Sequence, residues 1–406
     1  MIHVFLNGLG ASAGAGLTYL HNVVPRLSSI PEVRTTLAVQ PQLRMQFSGL
    51  AGVDVLDARI PFGAVPRFWF EQKQLAGLIR ESGADVLLSA GNFALRNSPV
   101  PQILLSGNSL YTSKDFFRDL RRRREYGLWL DTLAKGYFAR KSVQWADCTV
   151  APSRAYADEL RRWTGKNVIA IHHGFDAGVF FGDKTPLTAD VRQKLDVPSE
   201  CLKLLFVSHY NYYRNFETLF RAVAALRSRM HGRKVRLFLT CTFDDRKTPG
   251  TYKTAGAARL IDELGIREEV VELGSAPYQQ LHHVYSACDV YVTPAYTETF
   301  AHPLVEAMAC GLPIVASDTP VHREICETAV FFDKYSPGQM AEAILGVAVS
   351  KERFPGGRNA VAAATRFSWS FHVQALLKLA ARLRSKDGIN ELPKPKIAAA
   401  PKRAAS

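Results

Sequence analysis

The sequence predicts an α/β protein built from two doubly wound, parallel-sheet domains. Three observations lead there. Asp289 to Ala316 reads as one strand-loop-helix-strand unit: the β-branched and aromatic run DVYVT ends at Pro294, a helix spans Leu304 to Cys310, Gly311 caps it, and Pro313 to Ala316 returns as strand. The amino-terminal half repeats the alternation, with strands at Ile2 to Leu6, Thr36 to Val39, Val53 to Leu56 and Asp85 to Ser89 separated by helical stretches such as Phe68 to Ser82. Finally, 406 residues at 47% hydrophobic and 22% charged suffice for two domains, each with its own core.

In chain order, the first strand leads into NGLGASAGAG, whose Gly8, Gly10, Gly14 and Gly16 precede an amphipathic helix, Leu17 to Leu27. Glycines allow close backbone approach to a ligand, and a helix start can face a phosphate. A plain tight turn is the simpler reading of this loop alone. Pro101 to Tyr111 is a strand with a polar exit through Ser106, Gly107, Asn108 and Ser109. Lys114 to Arg124 is the densest basic run and continues into Tyr126, Leu128, Trp129, Leu130, Leu133, Tyr137 and Phe138. Such a pattern fits a surface against anionic lipid and, equally, an amphipathic helix whose apolar face is core. The polar stretch Phe180 to Pro198 marks the boundary, giving domains over 1–180 and 181–365. A final helix over 366–385 and a Pro-, Ala- and Lys-rich tail over 386–406, expected to be disordered, complete the chain.

The second domain opens at Leu202 to Ser208, and strands follow at Leu237 to Thr242 and Val270 to Leu273. In parallel sheets ligands bind beyond the carboxyl ends of strands, so the loop from Ala295 to Pro303 belongs at a ligand crevice. Glu298 and Glu306 have seven residues between them, but Pro303 precludes one helix through both. Glu298 is placed on the loop, beside a sugar ring. Glu306 sits one turn into the helix, able to accept hydrogen bonds from a vicinal diol. The helix start, around Phe300, Ala301 and Leu304, offers N–H groups to an anion. Taken singly, each glutamate is by default a solvated surface acid.

ETFAHPLVEAMACGLPIVASD resembles the E-x7-E signature of the family-four retaining glycosyltransferases, the glycosyl transferases group 1 of GT-B fold. The similarity extends through Glu272 to Gly274, Tyr285 to Pro294, and Ser317, Asp318, Glu324 and Ala329. It implies two Rossmann-like domains facing each other across a cleft, with the last helix crossing back to the first. Asp147 to Ser153 and Val168 to Phe175 resemble the last strands of the family's first domain, and Gly174 and Asp176 match its G-x-D turn. HYNYYRNFETLF resembles its G-R-x-x-x-x-K-N block, with Arg214 at the lysine, where it would grip a diphosphate bidentately. Ser208 and His209 stand where that block has Gly-Arg, leaving His209 as a weaker donor. Gly274 lies where relatives hold the nucleobase through backbone. A histidine that faces the reacting carbon in many relatives is absent at the Pro101 to Tyr111 exit; Asn108 stands there, able to orient a substrate and no base at neutral pH. Ala301 and His302 replace the usual Gly-Leu.

The resemblance implies retaining transfer of a hexose from a nucleotide-diphosphate sugar to a glycan, glycolipid or other hydroxyl acceptor, in cell-envelope polysaccharide or glycoconjugate synthesis. Glu298, Arg214 and Asn108 are the catalytic candidates; Glu306, Arg214, His209, Gly274, Phe300, Ala301, Leu304 and Gly14 are the donor-binding ones. No D-x-D motif stands at a strand exit, Asp244 and Asp245 being adjacent, so no metal and no cofactor beyond the donor is expected. Net charge of +14 exceeds what a diphosphate uses. An anionic membrane surface or anionic glycolipid remains open as partner; nucleic acid ranks lower for want of a recognition motif. Six cysteines without C-x-x-C pairing, no signal-like start and no run of ~18 apolar residues give a cytoplasmic expectation, with peripheral attachment to the inner membrane face open. Two alternatives stay beside this reading: a non-catalytic glycan- or membrane-binding relative, and another enzyme of the same architecture such as a sugar-phosphate synthase or nucleotide-sugar epimerase.

Overall fold

The computed structural model describes residues 1–11, 14–57, 63–230, 232–244, 252–349 and 356–385. The tail expected over 386–406, Asp245 and part of the glycine-rich first loop lie outside them. Two parallel sheets form the frame. The first holds β1 (Ile2–Asn7), β2 (Val33–Ala38), β3 (Val53–Val55), β4 (Val86–Ala90), β5 (Gln102–Leu105), β6 (Cys148–Ala151) and β7 (Ile169–Ala170), in the order β3-β2-β1-β4-β5-β6-β7. The second holds β8 (Leu202–Phe206), β9 (Val235–Leu239), β10 (Val270–Glu272), β11 (Val290–Thr293), β12 (Ile314–Ser317) and β13 (Val330–Phe332), in the order β10-β9-β8-β11-β12-β13. Helices on both faces explain why the strands are nearly continuous apolar runs, buried on either side.

Local chemistry sets several boundaries. Asn108, Ser113, Ser153, Asp176, Thr319 and Ser368 each cap the turn that follows by accepting a backbone N–H. The stretch expected as strand from Val168 to Phe175 pairs over two residues only, because His172 and His173 leave the sheet for the interdomain joint. Phe68 to Ser82 is helical but starts earlier, at Ala64, and contains a π-helical turn over Glu71–Leu75.

The domains are fastened at three places. The helix Trp369–Arg384 packs Val373, Leu376, Leu379 and Leu383 into the first domain's core. Its start passes so close to the G-x-D turn that a Cβ at Gly174 would lie 2.1 Å from the Trp369 nitrogen. On the other side, the helix Lys114–Arg122 buries Phe116 and Leu120 in the second domain's core. The basic run, which fitted a lipid-facing surface and a core-packed helix equally, is therefore partly engaged here: Arg122 and Arg123 each reach Glu217 at 2.6 Å, and both bind Asp119. Glu324 makes a third tie, accepting the Arg154 and Ala155 N–H groups at 2.9 and 2.6 Å at the start of the first-domain helix Arg154–Thr164.

Candidate active site

Loops that follow β5, β7, β8, β9, β10 and β11 line one cavity of 1060 Å³ between the domains. It lies at the switch point of the second sheet, where the chain leaves the adjacent strands β8 and β11 toward opposite edges. Parallel sheets open a crevice there for topological reasons. The sequence of the two exits fills it with charge.

After β8 the chain turns through Asn215, whose φ of 56° is left-handed, a conformation that asparagine tolerates. Its amide donates to the Lys334 and Pro294 carbonyls at 2.6 and 3.2 Å. These bonds pin the β8 exit to the β11 exit and fix Arg214, which precedes the turn. The Arg214 guanidinium lies over the Tyr213 ring, 4.9 Å from its centroid, and Nη1 donates to Glu298 Oε1. Nε is buried and has no acceptor among the described residues. Burial lifts the Glu298 carboxyl above its ordinary range against the pull of Arg214. Two of the three catalytic candidates, Arg214 and Glu298, thus form a largely buried ion pair on the cavity wall. Nearby, burial and then Arg214 lower the His209 pKa, leaving a neutral imidazole with one N–H to give.

After β11, Ala301 takes a φ of 62° and the helix His302–Ala309 begins, with Pro303 in its first turn. Glycine would adopt that φ freely, whereas alanine pays ~1 kcal/mol or more. Glu306 follows one turn later, as expected. It is 5% exposed, and the Tyr285 hydroxyl lies 2.8 Å from its Oε2. Burial pushes its pKa up to about 7, and the Tyr285 bond restrains the rise.

The cavity lining includes Gly14, Asn108, His209, Arg214, Gly274, Glu298, Phe300, Ala301 and Glu306. Gly274 follows β10 with a φ of 78°, and Gly14 and Asn108 come from the first domain. Asn108 spends its Oδ1 on the Leu110 N–H at 3.1 Å, so its amide NH₂ is what it offers a ligand. Leu304 is the exception. Its side chain is fully buried in the second domain's core and its N–H is taken by the Ala301 carbonyl at 3.0 Å. The helix start offers an anion the Ala301 and His302 N–H groups instead, for which no protein acceptor exists among the described residues.

Two lining groups were not read as site residues from the sequence. His173 and His302, from opposite domains, meet with Nδ1 and Nε2 3.2 Å apart, and Trp369 stacks on His302 at 6.1 Å. His372, on the crossing helix, bonds the Tyr19 hydroxyl at 2.9 Å behind them. Burial, then neighbouring histidines, hold His173 well below the usual imidazole range, and burial takes His302 to about 4. Both are neutral hydrogen-bonding groups at physiological pH. The double histidine before Gly174 was the available signal. Among the described residues no three His, Cys, Asp or Glu side chains are grouped as a metal would require.

Residues 188–352 match the family described as glycosyl transferases group 1. The chain is 31% identical over 238 residues to D-inositol 3-phosphate glycosyltransferase 2 of Catenulispora acidiphila, covering 56% of this chain and 54% of that one. It is 31% identical over 219 residues to the D-inositol 3-phosphate glycosyltransferase of Mycolicibacterium smegmatis, covering 53% and 47%. The chain spans about half the length of the curated relatives it matches. Sucrose-phosphate synthase from Thermosynechococcus elongatus superposes with a TM-score of 0.75 at 19% identity, over 95% of this chain and 100% of that one. Anabaena HepE in complex with UDP-glucose does so at 0.68 and 16% identity, over 94% and 100%. Both share the two-domain fold.

Proposed function

We propose that this chain, whose second domain belongs to the group 1 glycosyl transferases and whose two sheets form the GT-B architecture, moves a hexose from a nucleotide-diphosphate sugar to an acceptor hydroxyl. One observation carries the proposal. The β8 and β11 exits bring Arg214, Glu298 and Glu306 around a single cavity, with Gly274 beside them and Asn108 and Gly14 facing from the other domain.

In this reading Glu306 accepts both ribose hydroxyls. Gly274 and its neighbours pass along the base. Arg214, the His209 N–H and the helix start receive the diphosphate, and Glu298 turns from Arg214 toward the sugar. The acceptor oxygen bonds to C1 as the C1–O bond to the diphosphate breaks, and the hydroxyl proton passes to the departing phosphate oxygen. Attack and departure share one face, so configuration is retained. The protein stabilises charge that grows on the leaving group, an effect worth several kcal/mol in a site shielded from water. Arg214 and the helix start supply the positive charge that a divalent cation would otherwise bring, which supports a metal-independent reaction. The acceptor class is a glycan or glycolipid hydroxyl, oriented by the Asn108 amide. All six cysteines are free, which supports a reducing compartment.

The test is donor hydrolysis by the wild-type chain in EDTA, followed by proton NMR of the released sugar before it mutarotates. Slow release of sugar with the donor's anomeric configuration is expected. Inverted product overturns the stereochemical reading, and turnover only with added divalent cation overturns the metal-independent one.

A further inference from the structure

Most helices of this fold bury their large apolar side chains. The helix Tyr126–Trp145 does the reverse over its central turns. Its packed face is made of Thr132, Gly136, Ala139 and Val143. The outward face carries Leu130 and Tyr137, each 59% exposed, with Leu133 and Phe138 beside them. Spacings of three and four residues keep these on one side. The neighbouring helix Ala64–Phe70 adds Val65 and Trp69, the latter 56% exposed. The two helices join in one surface: the Phe68 ring lies 6.3 Å from Trp69 and 5.2 Å from Phe138, and Phe138 is 5.5 Å from Tyr137. Six large apolar side chains gathered on one exposed face mark a contact surface, since scattered single residues are the norm elsewhere.

The charges around the face select the occupant. Lys73 lies over the Trp69 ring at 5.6 Å, Lys141 over Tyr137 at 5.8 Å, and Arg140 is exposed on the same helix. Arg118, Arg121 and Arg124 are exposed on the segment just before it. The one carboxylate on the central outward turns, Asp131, is paired with Lys135 at 2.6 Å. Aromatic and aliphatic groups fringed by cations fit the interfacial zone of an anionic bilayer, where Trp and Tyr sit at headgroup depth and each basic residue adds attraction.

The surface also adjoins the cleft. Tyr111 packs on Gly136, and its ring is 6.4 Å from Phe93, which in turn meets Phe68 edge to face at 6.1 Å. Ser109 and Leu110, in the same turn as Tyr111, line the cavity beside Asn108. We propose that the face built by Ala64–Phe70 and Tyr126–Trp145 docks the protein on an anionic lipid bilayer, so that a membrane-resident acceptor reaches the first-domain wall of the cleft. The acceptor half of this statement rests on the transferase reading; the docking half does not.

Vesicles of phosphatidylcholine with 30% phosphatidylglycerol, floated with the full-length chain, provide the test, with pure phosphatidylcholine for comparison. The wild type is expected to float with the anionic vesicles, and the triple variant Leu130→Ser, Leu133→Ser, Tyr137→Ser to lose tenfold or more in partition. Dibrominated acyl chains should quench the wild type's tryptophan fluorescence, with most of that quenching lost in Trp69→Phe. The triple variant's thermal melt and nucleotide-sugar binding, which the altered residues do not touch, report whether it is folded. Equal flotation of wild type and folded triple variant, or no flotation of the wild type, overturns the proposal. A wild-type dimer that the triple variant converts to monomer, without vesicle binding, assigns the face to a second copy instead. Vesicle binding that persists while no nucleotide sugar binds leaves the docking intact and removes only the transferase reading.

Discussion

Nucleotide-sugar affinity should rise with pH between 6 and 8, with Glu306 setting the slope. Its carboxyl is buried beside Tyr285 and titrates at about 7. A ribose diol gives two hydrogen bonds to a carboxylate but only one to a carboxylic acid, which must itself donate. Binding therefore selects the ionised form. With a pKa near 7, the group is about nine-tenths protonated at pH 6 and nine-tenths ionised at pH 8, so affinity should change about tenfold, or 1.4 kcal/mol. His209 opposes this only below its own lowered pKa, where protonation would attract phosphate. Titration calorimetry with a nucleotide sugar, whose diphosphate diester does not titrate in this range, reads the slope. Repeating it in buffers of different ionisation enthalpy counts the proton released, about half per ligand at pH 7. Glu306→Gln should bind more weakly and show a flat profile. A wild-type profile that is already flat, or a slope that survives in Glu306→Gln, refutes the assignment of Glu306 to the diol.

The same carboxyl makes a stability prediction. Its folded pKa of about 7 lies above the ordinary 4.5, so stability present below pH 4.5 is lost as pH rises through 7. Glu306→Gln should thus raise stability at pH 8 by on the order of 3 kcal/mol, read as a higher melting temperature, and leave it unchanged at pH 4. Arg214→Ala strands a buried carboxylate and should cost about 3 kcal/mol in chemical denaturation; adding Glu298→Gln should recover most of that stability without restoring nucleotide affinity. Gly174→Ala should undock the crossing helix, because its Cβ has no room beside Trp369; limited proteolysis after residue 367 should accelerate while the second domain's core stays protected.

Much of this was legible in the sequence because it is local. The run from Asp289 to Ala316 states strand, breaker, helix cap and strand within a few turns, and it placed Glu298 and Glu306 in different settings for a reason, Pro303, that the structure repeats. Arg214 was legible through the resemblance of its strand exit to the family's G-R-x-x-x-x-K-N block. What was not legible depends on tertiary partners. His173 meets His302 from 129 residues away, and nothing near either one signals the other. Leu304 belongs to the same turn as Ala301, yet its side chain points into the core and its N–H closes that turn. β13 is three residues long, too short for its pattern to rise above the loop around it. The stripe of Leu130, Leu133 and Tyr137 has the spacing of a core face, and only the small residues opposite it, seated against the domain, reveal that it points outward.

The most direct test of the central claim is binding of UDP-, GDP- and ADP-sugars to the wild type and to Arg214→Ala and Glu306→Gln. One nucleotide should bind the wild type at micromolar levels and lose about 1 to 3 kcal/mol in each variant, as removal of a charged hydrogen bond does. Failure of every nucleotide sugar to bind, or binding indifferent to both substitutions, would contradict the assignment of this cleft to a nucleotide-sugar donor.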